Sequence, residues 1–152
     1  MTADGKETGP ERLARLTGGA PILVVEDVAP IRLLVTRQIA SLGLAVDAAE
    51  DGQAGLDRLA NGRHALALVD LVLPIVDGFE LARRRREAEA ADPGLRRVPL
   101  IALTARIYES EVQKCREAGF DDCLSKPLDL EVFATLLERC LGAEAGGDRS
   151  AR

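Results

Sequence analysis

Five short apolar runs, each followed by a stretch with helical periodicity, dominate the pattern of hydrophobic and polar positions along the chain. Runs of this kind are typical of strands that are buried on both faces of a sheet. The predicted strands are Pro21–Val25, Leu44–Ala49, Ala65–Asp70, Val98–Leu103 and Asp121–Leu124. The predicted helices are Pro30–Leu42, Gly52–Asn61, Phe79–Ala91, Glu109–Ala118 and Asp129–Leu141. The alternation predicts an α/β fold, a doubly wound five-stranded parallel sheet with five helices on its two faces.

The pattern predicts a single folded domain over residues 20–141, without an internal repeat. Residues 1–19 contain several glycines and mixed charges, which favours a flexible leader or linker. Residues 142–152 consist mainly of Gly, Ala and charged residues, and we predict a disordered tail there.

Composition excludes several classes of function. The chain has 152 residues, a formal net charge of −5 and only 3% aromatic residues, so we expect no direct binding of nucleic acid. No apolar run approaches the roughly 20 residues that span a bilayer, so we expect no direct membrane contact. The three cysteines, Cys115, Cys123 and Cys140, lack CxxC spacing, which favours free and buried thiols for all three in a cytoplasmic protein.

Two other features favour ordinary structural roles. The lone histidine, His64, has no Cys or His near it in sequence, and we predict a solvated loop residue instead of a metal ligand or catalytic base. The basic run Arg83–Arg86 is followed by Glu87 and Glu89 and has no interleaved aromatic residue. It therefore predicts a solvated helix face more strongly than a nucleic-acid patch.

Polar side chains follow four of the five predicted strands, at the carboxyl end of each. The residues are Glu26 and Asp27 after the first strand, Asp70 at the end of the third, Thr104 after the fourth and Lys126 after the fifth. An isolated Asp at a strand end more often only caps a loop. Because parallel strands bring their carboxyl ends to one edge, however, we expect these groups to lie together.

Three neighbouring carboxylates repel one another unless a cation joins them. Mg²⁺ accepts carboxylates, water and phosphate oxygens in an octahedral array. With a lysine and a hydroxyl added, the set fits phosphoryl transfer to a carboxylate, for which Asp70 is the candidate nucleophile. The sequence therefore predicts a Mg²⁺-dependent phosphoryl acceptor.

The ordered motifs resemble the receiver domains of two-component response regulators. The matching pieces are the acidic pair Glu26-Asp27, the segment VDLVLPIVDG around Asp70, LTA at Thr104 and LSKP at Lys126. The resemblance implies a flavodoxin-like strand order of 2-1-3-4-5. It also implies a signalling role in a phosphorelay.

The same resemblance assigns roles to the candidate residues. Asp70 would take a phosphoryl group from a phosphohistidine of a histidine kinase or histidine phosphotransfer protein. The implied Mg²⁺ ligands are Glu26, Asp27, Asp70 and the backbone carbonyl of Val72. Thr104 and Lys126 would bind the phosphoryl group, and Lys126-Pro127 would be a cis peptide.

Three departures from the family pattern bear on function. Glu26 replaces the more usual Asp, and its longer arm can still reach a metal. Cys123 stands where receivers usually carry a Tyr or Phe switch ring, so the signal must travel by another route. Val72, one of two variable flanking positions with Arg106, cannot orient a hydrolytic water, which predicts slow loss of the phosphoryl group.

Alternative functions have weaker support. A haloacid-dehalogenase-type phosphatase needs a second Asp at the position of Val72, and a nucleotide-binding domain needs a glycine-rich motif that the chain lacks. A pseudo-receiver without chemistry is disfavoured by the intact Asp70, Thr104 and Lys126. We expect no enzyme activity beyond the domain's own phosphorylation and dephosphorylation.

The resemblance also sets expectations for the surroundings of the domain. The output surface would comprise the fourth predicted helix, the fifth strand and the last helix. We expect a monomer or a weak phosphorylation-dependent dimer, without an output domain of its own. The flanks favour the receiver of a hybrid histidine kinase over a stand-alone receiver.

Overall fold

A computed structural model describes residues 7–145, with side chains up to residue 142. Its five strands are β1 (Ile22–Val25), β2 (Val46–Ala49), β3 (Leu66–Asp70), β4 (Leu100–Thr104) and β5 (Asp122–Ser125). The helices in this part of the chain are α1 (Gly9–Thr17), α2 (Ala29–Ala40), α3 (Gly52–Asn61), α4 (Gly78–Ala91), α5 (Glu109–Ala118) and α6 (Leu130–Ala145). All strand pairs are parallel and the order is β2-β1-β3-β4-β5, which confirms the predicted fold class and strand order.

The sheet separates two apolar cores, because alternate residues of each strand point to opposite faces. In β3, Leu66 and Leu68 face the core beneath α1, α2 and α6. Ala67 and Val69 face the other core, beneath α3, α4 and α5. Both faces of the central strands are therefore covered, and all five residues of β3 are buried.

The helix count is one higher than predicted, because residues 9–17 of the expected flexible leader form α1. Thr8 and Glu11 form a capping box, in which the Thr8 hydroxyl accepts from the Glu11 amide at 3.1 Å and Glu11 Oε1 accepts from the Thr8 amide at 2.8 Å. Gly18 ends the helix in the left-handed conformation. Leu13 is buried in the core that α6 shares, so α1 is packed against the domain.

Helix α6 also differs from its prediction. It continues to Ala145, so residues 142–145 of the predicted disordered tail are helical. Residues 146–152 of that tail, like residues 1–6 of the leader, lie outside the described residues. The other helices and the strands end within two residues of their predicted ends.

The prediction of a solvated basic face on α4 is wrong for two of its four arginines. Arg85 is only 5% exposed and donates to Glu89 and to the carbonyl oxygens of Leu59 and Arg96. These partners come from three different segments, which a charge count along one helix cannot reveal. Arg83 and Arg84 are exposed and pair with Glu80, as a solvated face requires.

Arg86 forms a clasp between α4 and the start of β4 and β5. It donates to the carbonyl oxygens of Gly119 and Val98 and pairs with Asp121 and Glu89. The side chains of Arg86 and Asp121 are 18% and 10% exposed, so this ion pair is largely removed from water.

The prediction that His64 is solvated is also wrong. Its side chain is 2% exposed, and its Nε2 lies 2.9 Å from a carboxylate oxygen of Asp47 on β2. The partner is 17 residues away in sequence, so only the parallel pairing of β1 with both β2 and β3 brings the two together.

Candidate functional site

The carboxyl ends of β1 and β3 place three carboxylates at one edge of the sheet. One oxygen each of Glu26, Asp27 and Asp70 can be chosen so that all three lie within 4.8 Å of one another. Glu26 and Asp70 are buried, whereas Asp27 is exposed. The predicted acidic cluster therefore forms, with one member open to solvent, and this geometry could hold a metal ion.

Lys126 reaches this cluster from the end of β5. Its Nζ lies 2.7 Å from Asp70 Oδ2 and 3.0 Å from Glu26 Oε1, so a single ammonium bridges the two buried carboxylates. Its backbone amide donates to the carbonyl of Thr104, which continues the pairing of β4 with β5. The Lys126-Pro127 peptide is cis, as the resemblance implied.

The electrostatics of the cluster follow from burial and from this bridge. Burial raises the pKa of Glu26, an effect that the nearby Asp70 charge reinforces and that the Val28 amide and Lys126 only partly offset. Burial alone would lower the pKa of Lys126, but its hydrogen bonds to Asp70 and Glu26 outweigh burial and raise it. Lys126 is therefore a firmly protonated cation beside the candidate nucleophile.

The side chain and the backbone of Glu26 are each held by a contact that sequence reasoning missed. Glu26 Oε2 accepts from the Val28 amide at 3.1 Å, and the Glu26 carbonyl accepts from Arg32 Nη1 at 2.8 Å. Both partners lie at the start of α2, of which Val28 is the N-cap residue. A carboxylate two residues before a helix start can accept from the N-cap amide, and this local pattern could have identified the Val28 contact. The Arg32 contact has no such local pattern.

Thr104 lies at the end of β4 in the same cavity. Its hydroxyl accepts from the Arg106 amide at 3.2 Å and lies 3.3 Å from the Arg106 carbonyl. The cavity has a volume of about 530 Å³, and all six predicted site residues line it: Glu26, Asp27, Asp70, Val72, Thr104 and Lys126. Four separate strand ends thus converge on one pocket, as the strand-end argument predicted.

The loop after Asp70 is held by a hydrogen bond from its backbone to the Asp70 side chain and by close contact with two glycines. Asp70 Oδ1 accepts from the Val72 amide at 3.0 Å, and the Val72 side chain is 81% exposed at the rim. A Cβ on Gly78 would lie 2.6 Å from the carbonyl oxygen of Asp70, and a Cβ on Gly52 would lie 1.7 Å from that of Val76. Helices α3 and α4 therefore begin in close contact with this loop.

Cys123 is half-buried and packs against the core beneath α3, α4 and α5. It takes the position at which the family resemblance predicts an aromatic ring. Tyr108, 65% exposed at the start of α5, is the described aromatic residue nearest to Thr104 in sequence. That the signal travels by a route without an aromatic ring at position 123 therefore stays a prediction.

Within residues 7–145, the structure contains no helix with the length and apolar character needed to cross a membrane.

Residues 22–138 match the family model of the response regulator receiver domain. The chain belongs to this family. Among curated relatives, it is 36% identical over 144 residues to the virulence sensor protein BvgS of Bordetella bronchiseptica, and this match covers 91% of the chain. It is 38% identical over 116 residues to the sensor histidine kinase RcsC of Escherichia coli K12, which covers 76% of this chain. The receiver spans only 12% of the length of each of these two relatives.

Solved structures with the same fold are also receivers. One is the receiver domain of a sensor histidine kinase from Pseudomonas aeruginosa, crystallised with a magnesium ion coordinated in its active-site cleft. It is 33% identical with a TM-score of 0.71, and the match covers 82% of this receiver and 98% of that one. A chemotaxis protein, CheY4 of Vibrio cholerae, is 26% identical with a TM-score of 0.68, covering 79% and 97% of the two chains.

Proposed function

We propose that this receiver accepts a phosphoryl group on Asp70 from a phosphohistidine and serves as a signalling switch. The observation that carries the proposal is the position of Asp70, whose Oδ2 lies 2.7 Å from the Lys126 ammonium in an open cavity beside two further carboxylates. A carboxylate oxygen is a nucleophile for phosphorus that needs no general base.

The reaction balances as a transfer between two side chains. A carboxylate oxygen of Asp70 forms a bond to phosphorus while the bond from phosphorus to the donor imidazole nitrogen breaks. The electron pair of the broken bond stays on that nitrogen. Lys126 stabilises the negative charge of the phosphoryl oxygens, and Thr104 donates its hydroxyl to one of them once it turns from the Arg106 carbonyl.

The residues present fit a magnesium ion. Glu26, Asp27 and Asp70 supply hard carboxylate oxygens at suitable mutual distances, and we assign the fourth protein ligand to the Val72 carbonyl. The ion would supply charge neutralisation at the phosphoryl oxygens. The magnesium in the cleft of the Pseudomonas receiver supports this assignment.

The partners proposed for this receiver follow from its relatives. The matching proteins BvgS and RcsC are sensor proteins, and a yeast receiver with the same fold was crystallised with a histidine phosphotransfer protein. We infer that the phosphodonor is a histidine kinase or a histidine phosphotransfer protein. The phosphorylated receiver would signal through the surface formed by α5, β5 and α6.

We also propose the compartment, the oligomeric state and the limits of the chemistry of this receiver. The receiver acts in the cytoplasm as a monomer or a weak phosphorylation-dependent dimer, without direct contacts to nucleic acid or membrane. It is not an enzyme for a separate substrate, and its chemistry is limited to its own aspartyl phosphate.

Phosphotransfer assays test the proposal. The receiver is mixed with phosphorylated kinases of its source organism, and separately with acetyl phosphate, with Mg²⁺ or with EDTA. We expect a labelled receiver only with Mg²⁺ and only when Asp70 is present. Asp70→Ala should remove the label, whereas Asp57→Asn, at an exposed aspartate of α3, should retain it. Labelling of Asp70→Ala equal to that of the wild type would refute the assignment.

A further inference from the structure

A second cavity lies at the opposite edge of the sheet from Asp70. It has a volume of about 310 Å³ and is bounded by the end of α3, the loop that follows it, α4 and the loop before β4. This volume lies at the small end of the range for ligand pockets. Four arginines line it: Arg63, Arg85, Arg96 and Arg97.

The charge of this cavity is positive and only partly neutralised. No carboxylate belongs to the described residues that line it. Arg85 and Arg97 are paired with Glu89 and Asp121, at 2.9 and 2.6 Å. Arg63 and Arg96, by contrast, are exposed and have no ion-pair partner within the described part of the chain. Two arginines without an ion-pair partner among the described residues therefore line one pocket on a protein of net charge −5.

His64 supplies a second, independent observation. Its Nε2 is occupied by Asp47, which as a carboxylate can only accept, so Nε2 carries a proton. Its Nδ1 is buried and lacks a hydrogen-bond partner in the described structure. The same ring forms part of the cavity wall. In the neutral ring with its proton on Nε2, Nδ1 is an acceptor, and because a buried polar atom without a partner costs free energy, the orphaned Nδ1 points to a polar partner outside the described contacts.

Gly62, which also lines the cavity, lies close to the ring edge that carries Nδ1. A Cβ at this position would lie 3.0 Å from Nδ1 and 2.4 Å from Cε1 of the ring. Because Gly62 carries no side chain, only backbone atoms at this position have to give way for a ligand to reach Nδ1. Any other residue at this position would fill that space.

We propose that this cavity is a binding site for a phosphate group, either free phosphate or the phosphate of a larger phosphorylated molecule. The guanidinium groups of Arg63 and Arg96 bind the anionic oxygens, for which their planar donors are well suited. The O–H of a monohydrogen phosphate donates to His64 Nδ1. The site is separate from the cavity around Asp70, here called the acceptor cavity, since the two have no lining residue in common.

NMR titration of the full chain tests the site without Mg²⁺, at pH 7 and constant ionic strength. Inorganic phosphate and AMP are added separately, which distinguishes a free ion from a phosphate carried on a nucleoside. We expect saturable shifts of the His64 ring signals and of the amides of Gly62 and Arg96 with at least one of them. The absence of saturation with both, or shifts confined to Ala105 and Lys126 in the acceptor cavity, would overturn the proposal.

Two paired variants supply the controls. Arg63→Gln with Arg96→Gln should weaken the binding at least tenfold, whereas Arg37→Gln with Arg116→Gln, which removes two exposed arginines elsewhere, should leave it unchanged. Equal weakening by the two pairs would show a general charge effect and contradict a built site. Sulfate, which lacks an O–H at pH 7, should bind severalfold more weakly than phosphate, and equal binding would contradict the role of His64.

Discussion

At the scale of single residues, Val72 separates the stability of the domain from the lifetime of its proposed signal. Its side chain is 81% exposed at the rim of the acceptor cavity, so a substitution there costs little packing. Because Val72 lies beside Asp70, its side chain nevertheless would be the group that a water contacts as it approaches the proposed phosphoryl group.

We predict that Val72→Asn shortens the half-life of the phosphorylated receiver severalfold. An amide can orient the attacking water, whereas an isopropyl group cannot. The measurement follows the loss of phosphoryl label from purified receiver, with the urea midpoint recorded to show unchanged stability. The control is Ile75→Asn, a neighbouring exposed residue, which should leave the half-life unchanged. A Val72→Asn half-life equal to that of the wild type would contradict the argument.

Cys115 should be chemically inert in the folded receiver. Burial, with a smaller contribution from the adjacent Cys123, raises the pKa of Cys115 to about 11. Since the thiolate is the reactive form, only about a thousandth of this thiol is reactive at pH 8. We expect iodoacetamide to modify Cys115 at least about 100-fold more slowly in the native protein than in urea. Peptide mass spectrometry checks this, and equal native and unfolded rates would contradict it.

At the scale of elements, the Arg86 clasp joins α4 to the starts of β4 and β5. Arg86→Met removes the Arg86 donor from two backbone carbonyls, those of Gly119 and Val98, whereas Asp121 keeps Arg97 and the Leu100 amide; we expect a loss of about 2–4 kcal/mol in the free energy of unfolding. Arg84→Met, on the exposed side of the same helix, should cost less than about 1 kcal/mol. Urea unfolding of both variants makes the comparison, and similar costs would show that the clasp is not stabilising.

Helix α1 should contribute to stability through one residue. Leu13→Ala removes a side chain that is 3% exposed in the core shared with α6, for an expected loss of about 2–5 kcal/mol. Arg12→Ala breaks two solvent-accessible ion pairs, with Glu138 and Glu7, and should cost about 1 kcal/mol or less. Thermal unfolding distinguishes the two, and an unchanged melting temperature for Leu13→Ala would show that α1 does not support the core.

The elements show which features a single sequence can reveal. The strands and the site at their carboxyl ends were predictable, since buried strands carry a local apolar pattern and parallel strands bring their ends together. Helix α1 was missed although Thr8 and Glu11 carry a capping-box signal, because the surrounding glycines outweighed it. The burial of His64 and Arg86 was not predictable, since their partners Asp47 and Asp121 lie on other elements.

At the scale of the whole molecule, the dependence of stability on pH should include a contribution from Asp47. Burial disfavours its charged form, but hydrogen bonds from His64 and the Ala48 amide, together with Arg58, outweigh burial and hold the pKa of Asp47 below its usual value. Its contribution is therefore complete above the unfolded-state pKa of about 3.9, and it is lost as the pH falls through the lower folded-state value.

We predict that Asp47→Asn lowers the free energy of unfolding by about 1 kcal/mol at pH 7. The difference from wild type should be smaller when urea unfolding is repeated at a pH below the lowered folded-state pKa of Asp47, because Asp47 is then protonated in both states. Asp57→Asn, on the exposed face of α3, is the control and should show no such pH-dependent difference. A difference for Asp47→Asn that is equal at both pH values would contradict the assigned cause.

The contact of Gly52 and Gly78 with the loop after Asp70 determines where the acceptor site tolerates variation. A methyl group at either position would enter the space of a backbone carbonyl, and the loop that positions Asp70 would have to move. Val72 and Ile75, by contrast, are about four-fifths exposed, so a new side chain at either position meets little packing. Proteins descended from this receiver should therefore vary at the rim, where the proposed signal lifetime is set, whereas Gly52 and Gly78 should stay as restricted as the proposed nucleophile although they have no chemistry of their own.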